Sequence, residues 1–289
     1  MDKKALETIK NILKLESNNI NRLLGGMSNY TYVVETDNEM YTVRLLGEFA
    51  EKFVNREDEE KGIKIFEKLS LTNKTIYFNK EDGIKISKYI DGVPLNELED
   101  RHYQEVCEIM KSYHNKDIDI DIDYDPFNRL LKYESYLNDY CFPDRYKDIK
   151  NKFFEYRDYL ESLPKVFCHN DSQRSNFFLS NNDNKIYIVD FEFVGKNDYI
   201  YDIACYGNND FNDAIELLKV YENNNVSDDK YLRLYLWKTF QSLQWYNVAM
   251  FKELNGLSET LKINFKDVAE FFLNMAEDCL KSVLLFDHK

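Results

Sequence analysis

The sequence predicts an α+β fold of two lobes: a small N-terminal lobe with an antiparallel sheet and one helix over residues 1–90, and a large, mainly helical lobe over 91–289. Three observations lead there. Alternating, strand-like runs crowd the start of the chain, with a helical run set among them. After "DGVPLNEL" the pattern changes to apolar positions about one helical turn apart. The strand-like runs of the second part are short, and they flank a polar patch, "CHNDSQRSNFF".

Taken in order, "MDKKALETIKNILKLES" reads as an amphipathic helix with Leu6, Ile9, Ile12 and Leu13 on its apolar side. "NNINRLLGG" leads to the strand patterns "YTYVVET" and "MYTVRLLG". "VNREDEEKGIKIFEKL" has helical spacing at Ile63, Phe66 and Leu69. "KTIYFN" and "GIKISKYI" form a hairpin whose connection holds Gly83, free to take positive φ. A hinge follows at residues 88–92, and a ligand is expected in a cleft between the lobes. Helices are expected in "EDRHYQEVCEIMKSYHN", in "FNRLLKYESYLNDY" and, as one helix, in "RYKDIKNKFFEYRDYLESL". The polar patch lies within the second lobe, and everything beyond Asp198 reads as helical. There is no internal repeat. "DIDIDID", residues 117–123, lacks the glycine and closing glutamate of a calcium loop and reads as a solvated loop.

The formal charge of −14 argues against a nucleic-acid or anionic-membrane partner, since either would be repelled. The five cysteines are odd in number and include no C-x-x-C pair, so neither a disulfide framework nor a zinc site is expected. A reducing cytoplasm fits them best. The N-terminal run lacks a signal peptide's apolar core, and no run approaches the ~18 apolar residues of a membrane span. A cytoplasmic protein without membrane insertion is the expectation; its oligomeric state is left open.

In the patch, Asp171 can align an attacking hydroxyl and accept its proton. Asn176 offers a neutral amide oxygen, and Asp190, in "IYIVDFEF", a charged oxygen at a strand end. Together Asn176 and Asp190 suit Mg²⁺, which takes one or two protein oxygens and completes its shell with phosphate and water. Singly, each could as well satisfy loop backbone groups or cap a turn. The combination D-x-x-x-x-N, a short β-run and D-F-E points to phosphoryl transfer.

"HNDSQRSN…IYIVDFE" resembles the catalytic and metal motifs of the choline and ethanolamine kinases, and more broadly of the aminoglycoside phosphotransferase group, which share the protein-kinase-like fold. "GGMSNYTYVV", "YTVRLLG", "NREDE", "DPFNRLLKYE" and "VDFEFVGKNDYIYDIA" bring the likeness closer to the bacterial choline kinases. The resemblance implies a nucleotide-binding lobe over 1–90 and a catalytic, substrate-binding lobe over 91–289. It makes Asp171 the catalytic aspartate and Asn176 and Asp190 the holders of the magnesium that bridges the ATP phosphates. Arg44 takes the place of the protein-kinase strand lysine, where its fork can bind two phosphate oxygens. Glu59 is its partner, with Glu57 and Glu60 as rivals. Gly26, Ser28 and Asn29, in "GGMSN", would let backbone amides approach the phosphates. Backbone groups of Lys88 and Ile90 would hydrogen-bond the purine. Asp202, in "YDIA", would cap a helix and support the catalytic loop.

A choline acceptor has no N–H to donate, so aromatic faces and carboxylates must hold it. The resemblance places Phe193 and Trp245 at this substrate, Glu192 is expected there beside Asp171, and Tyr206 or Tyr246 could help to close the cage. The family's W-x-x-W pattern is incomplete, because Val248 stands in the second place. The implied function is an ATP- and Mg²⁺-dependent kinase for choline or a related amino alcohol. An aminoglycoside or other small alcohol is the alternative acceptor, and a catalytically silent nucleotide-binding regulator the alternative class.

Overall fold

The computed structural model describes residues 2–17, 19–23 and 29–287. It is the expected α+β arrangement, an antiparallel N-terminal sheet followed by a mainly helical part. In chain order the elements are α1 (Asp2–Leu13), β1 (Asn19–Leu23), β2 (Asn29–Glu35), β3 (Met40–Leu46), α2 (Arg56–Lys68), β4 (Thr75–Phe78), β5 (Lys85–Lys88) and β6 (Gly92–Pro94). There follow α3 (Tyr103–His114), α4 (Pro126–Ser135), α5 (Asp144–Phe154), α6 (Arg157–Glu161), β7 (Val166–Cys168), β8 (Phe177–Ser180), β9 (Ile186–Ile188) and β10 (Gly195–Asn197). The chain closes with α7 (Tyr199–Tyr206), α8 (Phe211–Tyr221), α9 (Asp228–Leu254), α10 (Leu257–Leu261) and α11 (Phe265–Val283).

Two compact units form. One is Met1–Arg101 with Arg174–Val194, the other His102–Gln173 with Gly195–Lys289. The division is therefore not a single cut near residue 90. Pairing explains it, since β8 joins β6 and β9 in a three-stranded sheet that ties Arg174–Val194 to the first unit. The polar patch is divided accordingly, with Asp171 in the second unit and Asn176 and Asp190 in the first.

In the first unit the sheet order is β1-β2-β3-β5-β4, antiparallel throughout. Period-two alternation sends Tyr30, Tyr32, Val34, Tyr41, Val43, Leu45 and Ile86 to one face, where Ala5 and Ile9 of α1 cover them. Arg44 stands between Val43 and Leu45 and so belongs to the other face. The β4–β5 hairpin turns through Gly83 at φ +64°, where a Cβ would also collide with Leu46. Gly62 in α2 lets that helix lie close on the segment after β9: a Cβ there would come within 2.8 Å of Val194 and 3.0 Å of Phe191. Phe66, one turn on, stacks on Phe191 with ring centroids 4.5 Å apart.

In the second unit, α9 and α11 make the largest helix pairing, and α4, α5 and α7 also pack on α9. Two expectations change here. The helix expected over "RYKDIKNKFFEYRDYLESL" is broken into α5 and α6, because Glu155 and Tyr156 close a tight turn with bonds to Lys152 and Phe153 three residues back. "DIDIDID" is not simply solvated. Its aspartates are exposed while Ile118, Ile120 and Ile122 turn inward, and Ile122 and Tyr124 exchange backbone hydrogen bonds with Lys196 of β10. Among the described residues no helix is long and apolar enough to cross a membrane.

Candidate active site

In the first unit, Arg44 of β3 meets Glu59, which α2 presents one turn in from its N-cap Asn55. The pair is bidentate: Nη2 donates to Glu59 Oε2 at 3.1 Å, and Nη1 makes a shorter contact to Oε1. Nη2 also donates to the Gly83 carbonyl at 3.2 Å, so the hairpin turn helps to aim it. The rivals point elsewhere, with Glu57 toward Lys80 and Glu60 toward Lys64. Glu59 has no exposed surface at all. Burial alone would raise its carboxyl, but Arg44's charge and hydrogen bonds outweigh that and hold it below the usual carboxylate range.

Glu192 completes this cluster. Its Oε1 accepts from Arg56 Nη1 at 2.7 Å, Asn29 Nδ2 at 2.9 Å and Arg44 Nη1 at 3.4 Å. Expected at the acceptor, Glu192 is engaged by two guanidinium groups, because it follows Asp190 into the buried contact with α2. Lys85 stands directly opposite Arg44 in the β3–β5 register and lies over the Phe191 ring at 5.4 Å. Burial and then Arg44's charge lower the Lys85 ammonium. Arg56 and Lys85 were not singled out by sequence reasoning. Lys85 was findable from strand register, since directly opposed residues share a face.

Asp190 follows β9 in a left-handed conformation, φ +71°. Burial and the charge of Glu192 push its carboxyl up to about 7, against the pull of Arg44. A carboxyl in this state favours binding a proton or a metal cation. Asn176 is nearly buried, and its carbonyl accepts the Val189 N–H at 2.9 Å, which ties it to the turn that carries Asp190. A neutral amide oxygen and a hard carboxylate are the donor set that Mg²⁺ accepts, so these residues fit that ion.

Gly26 and Ser28 lie outside the described residues. Asn29 is described, and its amide is engaged with Glu192. Lys88's N–H donates to the Lys74 carbonyl at 2.9 Å and its carbonyl accepts from the Asn73 side chain, because β5 continues its edge bonding here. That carbonyl keeps a second lone pair for a ligand. Ile90 lies half-buried between β5 and β6.

In the second unit, the loop after β7 carries Asp171. Asp202 accepts the His169 N–H at 2.9 Å and the Asn170 N–H at 2.7 Å, and also Tyr113 Oη at 3.0 Å. Its other side-chain neighbour is His114 Nε2 at 3.1 Å. Burial would raise Asp202, but the bond and charge of His114 lead the groups that hold it low. Support of the loop is thus its task. It caps no helix, since it lies within α7, whose N-cap is Asp198. Asn170 takes φ +62°, tolerable for asparagine, and exchanges side-chain bonds with Gly195 and Asn197 of β10. His114, Cys168 and Asp202 place possible metal-ligand atoms within 4.8 Å of one another. Burial pushes the Cys168 thiol well up, away from the thiolate a metal needs, and Asp202 is saturated by donors, so the cluster is structural.

The expected acceptor aromatics each have a different neighbour. Trp245 stacks on Phe272 of α11 with centroids 6.1 Å apart. Tyr246 shares a hydrogen bond with Tyr140 at 2.8 Å and packs on Tyr146. Tyr206 meets Tyr103 edge-on. Phe193 is in the first unit and partly buried. Ring packing in the helical unit thus accounts for these neighbours. The other tryptophan, Trp237, donates to Asp198 at 2.7 Å.

Comparison with known proteins bears on this geometry. A family model described as choline/ethanolamine kinase matches residues 20–226. The chain belongs to the choline/ethanolamine kinase family. The structure of the choline kinase LicA from Streptococcus pneumoniae is 25% identical, covers 98% of this chain and 99% of that one, and superposes with a TM-score of 0.81. Protein LicA of Haemophilus influenzae is 22% identical over 63% of this chain, and a probable ethanolamine kinase of Arabidopsis thaliana 26% identical over 65%. The chain spans 55% of the length of each of these two curated relatives. Aminoglycoside phosphotransferases share the fold at lower identity, with TM-scores of 0.63 and 0.72.

Proposed function

We propose that this chain transfers the terminal phosphoryl group of ATP to the hydroxyl of choline or a related amino alcohol in the cytoplasm. The observation that carries the reading is the buried Arg44–Glu59 pair in one cluster with Lys85 and Asp190, the place the family pattern reserves for the nucleotide's phosphates. Arg44 binds phosphate oxygens with its guanidinium while Glu59 keeps it oriented. Asn176 and Asp190 would hold Mg²⁺, which when bound offsets charge on the phosphates. Asp171 aligns the acceptor hydroxyl and takes its proton. The new O–P bond forms as the bond to the β-phosphate oxygen breaks, and that oxygen keeps the electron pair as ADP leaves. Lys88's carbonyl and the backbone at Ile90 would read the purine.

Val248 replaces an aromatic face, and a well-placed face contributes ~0.5–2 kcal/mol to a bound cation. An ADP-release assay comparing choline, ethanolamine and kanamycin tests the acceptor directly. Acceptor-stimulated release with an amino alcohol is expected, and Asp171→Ala should abolish it while ATP still binds. Near-normal turnover in that variant would remove the mechanism, and ATP binding without stimulation by any acceptor would favour a silent regulator.

A further inference from the structure

Lys238 lies wholly buried in α9, and the chemistry above gives it no task. A lysine kept only for packing would be better replaced by an apolar side chain. Its hydrogen bond among the described residues goes to Asn208 Oδ1 at 3.2 Å. Asn208 Nδ2 donates onward to Gln173 Oε1 at 3.2 Å, and Gln173 Nε2 donates to Asp171 Oδ2 at 3.4 Å. All four residues belong to the second unit.

The direction of this chain is dictated by its ends. An ammonium can only donate and a carboxylate can only accept, so both amides must turn their oxygens toward Lys238 and their nitrogens toward Asp171. Bonds aligned in one direction polarise one another in a dry interior. Burial pushes the Lys238 ammonium down to about 8, against the nearby Cys205 and Cys279 thiols, so it stays mostly charged at neutral pH. The loop's main chain is already held from another side, by Asp202 and by Ser172 Oγ, which donates to the Asp202 carbonyl at 2.7 Å. Gln173, by contrast, reaches the Asp171 side chain itself, at Oδ2.

We infer that Lys238, Asn208 and Gln173 are positioning residues that fix the Asp171 carboxylate toward the acceptor hydroxyl. The inference rests on the proposed role of Asp171. No proton travels along the chain, and the three residues act only by orienting an oxygen.

Asn208→Asp in the full-length protein separates this from a packing role. The aspartate pairs better with Lys238, so thermal stability should hold or rise. It has no N–H for Gln173, so kcat should fall about tenfold or more with KM for acceptor and nucleotide changed by less than about threefold. Lys238→Met should lower kcat in the same way, and Lys238→Arg should restore part of it. Asp171→Asn is measured alongside. If Asp171→Asn is inactive while Asn208→Asp turns over within about twofold of wild type, the relay is overturned and the role of Asp171 stands. If Asp171→Asn is itself active, the reading beneath the relay fails.

Discussion

Asp190 shows how one residue's surroundings set its behaviour. Its carboxyl is raised to about 7 by burial and by Glu192, from the ~3.9 expected of the unfolded chain. The folded protein therefore holds this proton more tightly than the unfolded one. The contribution to stability is complete below ~3.9 and is lost as pH rises through about 7. Without divalent cation, the melting temperature should fall between pH 5 and 8, and Asp190→Asn should flatten that decline in a thermal scan. An unchanged slope would show that another group governs it. Arg44 and Glu59 make the opposite case, a buried pair that is costly to break. Glu59→Ala leaves Arg44 without its bidentate partner and should cost about 3 kcal/mol or more in a denaturant titration. Arg44→Lys keeps the charge but not the fork, and should weaken ATP binding measured calorimetrically.

Elements carry these residues into place through a few specific bonds. α2 reaches Glu59 to Arg44 because Gly62 permits close approach to Phe191 and Val194. Gly62→Ala should push α2 outward, lowering both stability and nucleotide affinity although alanine favours helix. α7 depends on Asp198, which caps Ile200, accepts from Trp237 and pairs with Arg233. Asp202 on the same helix holds the loop's main chain. Asp202→Asn retains one acceptor oxygen but turns donors toward the loop's own N–H groups. It should lower stability by about 2 kcal/mol, and kcat more than KM, read from unfolding and steady-state kinetics together.

At the scale of the molecule, the net charge of −14 would repel a nucleotide. The cluster of Arg44, Arg56 and Lys85 gives a local exception, balanced by Glu59, Asp190 and Glu192. Binding of ATP with Mg²⁺ should stabilise the fold by about 2.7 kcal/mol at one hundred times the dissociation constant. Asn176→Ala and Asp190→Asn should remove the magnesium-dependent part of that gain in a thermal-shift titration while leaving the magnesium-independent part. A full magnesium effect in both variants would exclude these two residues as its ligands.

Much of this was legible in the residues themselves. Alternation marked β2, β3 and the β4–β5 hairpin, and helical spacing marked α2, α3, α4, α8, α9 and α11, because local burial imposes those periods. The D-x-x-x-x-N and D-F-E pattern drew attention to Asp171, Asn176 and Asp190. The resemblance singled out Glu59, but Glu57 and Glu60 lie on the same helix and only the direction of Arg44 removes them as rivals. Nor could the sequence assign Glu192 to the guanidinium cluster, or find Asn208 and Lys238, whose partners are remote in the chain. The break between α5 and α6, and the pairing that carries Arg174–Val194 into the first unit, likewise arise from contacts between distant segments. Period and composition express what a residue needs from its neighbours along the chain; which remote group answers that need is decided only when the chain is folded.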